Sequence, residues 1–292
     1  MNQSGLHRRT RKIADRLING VHDIASTRFQ LYADSTRSDL RVDIVIPAAP
    51  KDLDVLPTTI DSARRNLRHP IGSVFVISPR TSTIEGLCRT KGCVFVDERS
   101  ILELDPAAID LVVNGEDRSG WIYQQFLKWG ASKVVQTSHF LIMDADTALV
   151  RPQVFERNGR IVFNYSDEYH QPYFDMYRRL LNEAVTCPVS FTSHHMLYDS
   201  LILAELKARI ESIHGRAWPQ AILRCIDRKQ PSAVSDYDNY GQYVFLHHGD
   251  GMAIEYWSNL RLRRSLGIPS ASALTFLFGG RYKSVSFHSH AY

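Results

Sequence analysis

The sequence predicts an α/β fold: a mostly parallel sheet flanked by helices, in one large domain with an irregular second half. Three observations carry this. Short apolar runs alternate with segments of helical periodicity between residues 42 and 143. The runs stop at loop-forming residues: Pro47, Ser78-Pro79, Asp97 and Asp144. The last of them, Phe140-Leu141-Ile142-Met143, delivers two carboxylates, Asp144 and Asp146, at its carboxyl end.

Taken in order, residues 42–46 read as the first strand, rich in β-branched side chains. Residues 47–57 mix Pro47, Pro50, Lys51, Asp52 and Asp54 and read as a loop, and 56–67 as a helix. Residues 73–77 and 93–96 are the second and third strands, 119–131 a helix, and 140–143 the strand ahead of Asp144. In the second half, 163–165 and 189–191 read as strands. Residues 196–213 read as one helix, with Leu197, Leu201, Leu203, Leu206 and Ile210 apolar, opened by Ser193-His194-His195. Upstream, 6–33 read as a basic amphipathic helix, with Leu6, Ile13, Leu17, Val21 and Ile24 at helical spacing beside Arg8, Arg9, Arg11, Lys12 and Arg16. That helix either packs on the domain or meets an anionic membrane surface, where Arg261, Arg263 and Arg264 could join it.

Composition narrows the classes. The chain has 292 residues, 44% hydrophobic and 23% charged, which is enough for a sizeable core. A formal net charge of +4 is too small to argue nucleic-acid binding. No run approaches the ~18 apolar residues that span a membrane, and no apolar leader follows the first arginines, so a cytoplasmic protein is expected. Cys88, Cys93, Cys187 and Cys225 fit no zinc spacing and are expected as reduced thiols.

The candidate chemistry gathers at the carboxyl ends of the strands, where open α/β sheets bind ligands. On an extended backbone Asp144 and Asp146 share a face. Two hard oxygen anions there suit a divalent cation and the phosphates it holds; the plainer alternative is a loop or cap, with Thr147 following. Gln124 and Lys128, four apart, share a helix face, and Lys128 could meet phosphate as a point charge. Pro47, Ala48, Lys51 and Asp52 follow the first strand, where a nucleoside would sit. His194 and His195, at a helix amino terminus, could contact a donor sugar or an acceptor, or simply follow a Ser cap.

Several segments then carry a resemblance. An apolar strand closed by Asp144-Ala145-Asp146 after a nucleotide-sized α/β half resembles the GT-A glycosyltransferases, a Rossmann-like fold. Gly120-Trp121-Ile122-Tyr123-Gln124-Gln125-Phe126-Leu127-Lys128 is similar to a helix before that strand in a bacterial family of GT-A-like proteins. Ser235-Asp236-Tyr237-Asp238-Asn239-Tyr240-Gly241 is similar to its later S-E-Y-E-x-Y-G segment, with both Glu replaced by Asp. The resemblance covers residues 40–290 and implies a basic segment over 1–38 and a transferase domain over 39–292. Within the domain, 39–150 would bind the nucleotide-sugar and 151–292 the acceptor.

The resemblance implies transfer from a nucleotide-sugar, a uridine diphosphate donor being expected, to a bacterial surface glycan or lipid-linked acceptor. Mn2+ or Mg2+ would be held by Asp144 and Asp146 and would offset charge on the leaving diphosphate. A carboxyl-terminal histidine is a common third ligand, so His288 is expected, ahead of His290, with His247 and His248 behind. Asp238, then Asp236, are candidate bases for the acceptor hydroxyl; the alternative for both is a turn. Such an enzyme would sit in the cytoplasm, peripheral on the inner face of the inner membrane, and Asp144→Ala or Asp146→Ala would abolish turnover with the fold intact. Two competitors remain. One is a haloacid-dehalogenase-like phosphotransferase with Asp144 as nucleophile. The other is a non-catalytic carbohydrate-binding protein on the same fold.

Overall fold

The structure, a computed structural model, describes residues 37–288, the last by its backbone alone. The expected helix over 6–33 and His290 lie outside these residues. Strand β1 (Val42–Pro47) leads through a short 3-10 turn (Pro50–Asp52) to α1 (Leu56–Asn66), β2 (Ile71–Ser78), α2 (Ser82–Lys91) and β3 (Val94–Asp97). A hairpin of β4 (Val112–Val113) and β5 (Glu116–Asp117) precedes α3 (Ser119–Gly130) and β6 (His139–Met143). Then come β7 (Thr147–Leu149), β8 (Glu156–Arg157), β9 (Arg160–Tyr165), α4 (Gln171–Leu181), β10 (His195–Asp199), α5 (Ser200–His214) and α6 (Trp218–Cys225). The chain closes with α7 (Asp236–His247), β11 (Met252–Tyr256), β12 (Asn259–Arg263), α8 (Ala271–Phe278) and β13 (Ser284–His288).

The central sheet runs β10-β6-β1-β2-β3. Its last four strands are parallel, and β10 pairs antiparallel along the outer side of β6. Both faces of β1 are buried, and alternation along the strands sorts the two cores. Val45, Phe75, Ile77, Phe140 and Ile142 pack with Ile122, Phe126 and Trp129 of α3. Ile44, Ile46, Val74, Val76, Leu141 and Met143 pack with Leu56, Ile60 and Ala63 of α1 and Ile84 of α2. Because β10 comes from the second half of the chain, the two halves share one sheet.

The polar Asp43 inside β1 is buried and still satisfied. It accepts from the backbone N–H of Ser73 (2.7 Å), Gln136 (2.6 Å) and Thr137 (3.2 Å). Gly72 makes room for it: a Cβ there would stand 2.2 Å from Asp43 Oδ1.

Two sequence expectations change. The single helix over 196–213 is a strand followed by a helix, broken where Asp199 caps α5 by accepting from Leu201 N and Ile202 N. The expected strand over 189–191 is a loop that makes one isolated bridge, Ser190 to Ser166. A smaller sheet matters for the site. β13 pairs antiparallel with β7 and parallel with β12, with Ser286 opposite Thr147. Phe287 N then donates to the carbonyl of Asp146 (2.8 Å), so the end of β13 lies beside the turn after β6.

Candidate functional site at the carboxyl edge of the sheet

The carboxyl ends of β1, β2 and β6 reach the same edge of the sheet. Beyond β6 the backbone does not stay extended. Thr147 N donates to the Asp144 carbonyl (3.1 Å), which makes 144–147 a tight turn. Thr59 Oγ1 holds the Ala145 carbonyl from below (2.8 Å). Asp144 and Asp146 therefore share the edge because of a turn, and each meets different neighbours.

Asp144 is enclosed. Lys128 Nζ, delivered by α3, lies 2.8 Å from Asp144 Oδ1, and Tyr237 Oη donates to the same oxygen (2.8 Å). His194 Nδ1 lies 3.2 Å from Oδ2, and Asp144 N donates to the His194 carbonyl (2.9 Å). His194 adopts φ 65°, a left-handed conformation that costs a non-glycine residue energy and aims the ring at both acids. Its Nε2 lies 3.1 Å from Glu168 Oε1, which Arg261 also contacts. On the other flank Lys128 Nζ lies 3.3 Å from Asp236 Oδ1 and 4.0 Å from the centre of the Tyr237 ring. Tyr198 Oη donates to Asp236 Oδ2 (2.7 Å). The result is a row of alternating charge that runs from exposed Arg261 through Glu168, His194, Asp144 and Lys128 to buried Asp236.

The row sets its own protonation. Burial would raise Asp144, but Lys128 and His194 hold it well below the usual carboxylate range. Burial would lower His194, but Asp144 and Glu168 raise it to about 10, so the imidazole is a cation at neutral pH. Glu168, which burial would also raise, is brought down to about 2 by His194 and Arg261. Burial pushes Asp236 up to about 6 despite Lys128, since one ammonium serves two carboxylates.

Asp146 faces the other way. Burial and the negative charge of Asp144 push it up to about 6. Arg264 Nη2 stands 3.9 Å from its Oδ2. Arg264 also fastens the surrounding chain. It donates to the Lys51 carbonyl (2.8 Å), Asp54 Oδ1 (3.2 Å), Asp52 Oδ1 (2.8 Å) and the Phe287 carbonyl (2.8 Å). One guanidinium thus joins the loop after β1 to the last strand, beside Asp146.

The other sequence-predicted residues divide. Lys128 and His194 converge on Asp144, and Gln124 Nε2 reaches the Pro47 carbonyl (3.4 Å), tying α3 to the loop after β1. Pro47 and Ala48 are buried at that loop's start, Lys51 is exposed, and Asp52 is buried against Arg264. The backbone of His288 lies one position beyond Phe287, next to the turn, and its side chain is outside the described residues.

Corrections follow for the rest. Asp238 does not face the edge: it is buried and accepts from Phe191 N (2.7 Å), Ser190 Oγ (3.0 Å) and Thr192 Oγ1 (3.0 Å), which makes it an anchor for residues 190–192. Asp236 is buried behind Lys128 rather than open to an acceptor. Both lie in the first turn of α7, capped by Ser235, and not in a β-turn. His195 is an interior ring between Phe155 and Trp257, its Nδ1 2.8 Å from the Ser193 carbonyl. It opens β10, so the helix amino terminus expected at His194-His195 is absent. His247 and His248 pair with Glu183 and Glu205 instead of the edge. Arg261 and Arg264 are committed to Glu168 and to the loop after β1, so they do not form a membrane-facing cluster with Arg263. Asp144, enclosed by three donors, is no free nucleophile, and three parallel strands precede it in sequence order within the sheet; both facts oppose the phosphotransferase alternative.

Sequence reasoning missed Glu168, Tyr237 and the role of Arg264. Tyr237 was within a quoted motif, and its place between two acids in the first turn of a helix was a usable signal. Glu168 and Arg264 had none; tertiary contacts alone bring them in. Glu168 and His194 border a small cavity of ≈ 160 Å³ with Ser166, Asp167, Ser193, Asn259 and Arg261.

The carboxylates at this edge that could hold a divalent cation are Asp144, which meets Lys128, His194 and Tyr237, and Asp146, which meets Thr147 Oγ1 at 3.4 Å and stands 3.9 Å from Arg264. Among the described residues no cluster of three or more His, Cys, Asp or Glu has the arrangement of a metal centre. All four cysteines are free thiols. Among the described residues no helix is long and apolar enough to cross a membrane.

The structure thus defines an α/β protein with a mostly parallel sheet and an acidic, internally charge-paired carboxyl edge. The chain belongs to the family of unknown function DUF6492, whose profile matches residues 74–265. No curated protein matches it. Solved structures similar to it include a galactosyltransferase, LgtC, in complex with donor and acceptor sugar analogues: 13% identity, 86% of this chain and 88% of that one, TM-score 0.46. Another is glucosyl-3-phosphoglycerate synthase from Mycobacterium tuberculosis with Mn2+, uridine diphosphate and glucosyl-3-phosphoglycerate: 13% identity, 77% and 71%, TM-score 0.42. A third is mouse xyloside xylosyltransferase 1 in its apo form: 11% identity, 86% and 98%, TM-score 0.43. Likeness at this level says what the chain resembles and no more.

Proposed function

We propose that this chain is a glycosyltransferase that takes a sugar from a nucleoside diphosphate donor at the carboxyl edge of its sheet. The observation that supports it most is the paired arrangement there: an acidic turn, Asp144 and Asp146, backed by two cations, Lys128 and His194. Breaking a sugar–phosphate bond places negative charge on the leaving diphosphate, and fixed positive charge at that point lowers the barrier. Lys128 and His194 are held rigidly by Asp144, so they need little reorganisation as charge develops.

Asp146, with His288 as an expected partner, would hold a manganese or magnesium ion, which would supply further positive charge against the diphosphate. The loop after β1, with Pro47, Ala48, Lys51 and Asp52, and Gln124 above it, would receive the nucleoside, with uridine the expected base. The cavity beside Glu168 would receive part of a sugar. Glu168 is too acidic to remove a proton at neutral pH, so its role there is to accept hydrogen bonds from hydroxyls. The acceptor is proposed as a surface glycan or lipid-linked glycan approaching from the second half of the domain. Peripheral contact with the inner membrane would fall to the basic segment before residue 37.

A thermal-shift panel of nucleoside diphosphates and nucleotide-sugars, with and without Mn2+, tests this. A ligand that binds only the folded chain raises its melting temperature by mass action. Metal-dependent stabilisation by one nucleoside diphosphate and its sugar conjugates is expected. No stabilisation by any of them would overturn the proposal.

A further inference from the structure

Away from this edge, α4, α5 and α6 meet around an open depression of ≈ 620 Å³ lined by Arg179, His214, Arg224, Cys225 and Asp227 among others. Arg179 lies in the last turn of α4, Arg224 in the last turn of α6, and Arg216 in the turn between α5 and α6. Arg179 and Arg224 both line the depression beside Cys225, and Arg216 lies outside its lining.

None of the three is paired with a carboxylate among the described residues. Arg179 Nε donates to the Cys225 carbonyl (2.9 Å), and Arg216 Nε to the His214 carbonyl (3.4 Å). Arg224 has no hydrogen bond or ion pair among the described residues. The neighbouring Arg178, by contrast, is paired with Asp175 at 2.8 Å. Asp227, the one carboxylate in the lining, turns back to accept from Lys229 N (3.0 Å). Like charges facing one depression repel one another, and an anion between them relieves that repulsion. The planar forks of arginine match phosphate oxygens in pairs.

We propose that this depression binds a phosphate-bearing anion through Arg179 and Arg224. A soluble phosphate compound and a phospholipid headgroup present the same chemistry. The site is separate from the acidic turn, so it stands or falls independently of the transferase proposal.

The test uses the full chain and pyrophosphate at constant ionic strength. Isothermal titration should show saturable binding, and bound pyrophosphate should slow alkylation of Cys225, located by mass spectrometry. In Arg179→Ala/Arg224→Ala, affinity should fall by about tenfold or more with the melting temperature unchanged. If that temperature falls, Arg224→Gln alone makes the same comparison. Equal affinity in the variant, or equal slowing by sodium chloride alone, overturns the proposal. Vesicles of phosphatidylcholine with and without phosphatidylglycerol identify the source. Phosphatidylglycerol-dependent sedimentation lost in the variant supports a headgroup. Pyrophosphate binding without it supports a soluble compound. Absence of both forms of binding overturns the site.

Discussion

Asp144 and Asp146 stand two residues apart on one turn, yet they belong to different corners of the molecule. On the Lys128 side, charges alternate through Arg261, Glu168, His194, Asp144, Lys128 and Asp236, mostly buried and bonded to one another. On the Arg264 side, one guanidinium gathers the loop after β1 and the last strand around a carboxylate that burial and then its acidic neighbour push up to about 6. The sequence motif treats the two acids as equivalent. Their surroundings make Asp144 the counter-ion of two cations and set Asp146 beside Arg264 and Thr147.

The largest expected effect separates them. Asp144→Ala removes the carboxylate shared by two buried cations, leaving Lys128 only Asp236 and His194 only Glu168, and should destabilise the fold by about 3 kcal/mol in urea titrations. Asp146→Asn should cost no more than about 1 kcal/mol, because its side chain remains a quarter exposed. Equal losses would erase the distinction between the corners. A loss of that size runs against the expectation that Asp144→Ala leaves the fold intact, and the same titration decides between the two.

Next come the elements that hold each corner. Asp238→Asn places an amide among three donors and should cost about 1–3 kcal/mol. Gly241→Ala, whose added Cβ would stand 2.3 Å from the Phe191 ring, should cost a similar ~1–3 kcal/mol. A fully stable Asp238→Asn would return that residue to candidacy as a base. On the other corner, Arg264→Ala should loosen the last strand, read as faster amide hydrogen exchange at Phe287, with exchange at β10 unchanged. Uniform acceleration would show instead that Arg264 supports the whole domain.

The smallest effect is a pH slope. Burial lowers His195 to about 3, against an ordinary value near 6.5. Between those values the unfolded chain binds a proton that the folded chain refuses. Stability from this group is therefore present above about pH 6.5 and lost as pH falls toward 3, by at most about 1.4 kcal/mol per unit. Denaturation at stepped pH should show a flatter slope in His195→Gln. An unchanged slope would place His195 outside the core packing described for it.

The parallel half of the fold was legible in the sequence because each of its strands is an apolar run ending at a loop former, and its helices keep their period. The strand–helix break at Asp199 was harder. Met196, Leu197 and Tyr198 suit either state, and only the Asp cap before Ser200 marks the boundary. In the site, Lys128 could be read from helical spacing to Gln124. His194 reaches Asp144 through a left-handed backbone rather than through the helix start that its sequence context suggests. Glu168 and Arg264 lie 24 and 120 residues from Asp144 along the chain. Nothing local announces them, because their roles come from packing across the domain.

Isothermal titration of uridine diphosphate in the presence of Mn2+, comparing the natural chain with Asp146→Asn, tests the central claim most directly. The natural chain should bind with a manganese-dependent affinity, and Asp146→Asn should lose that dependence while melting at nearly the same temperature. Manganese-dependent binding of equal strength in the variant would contradict the account.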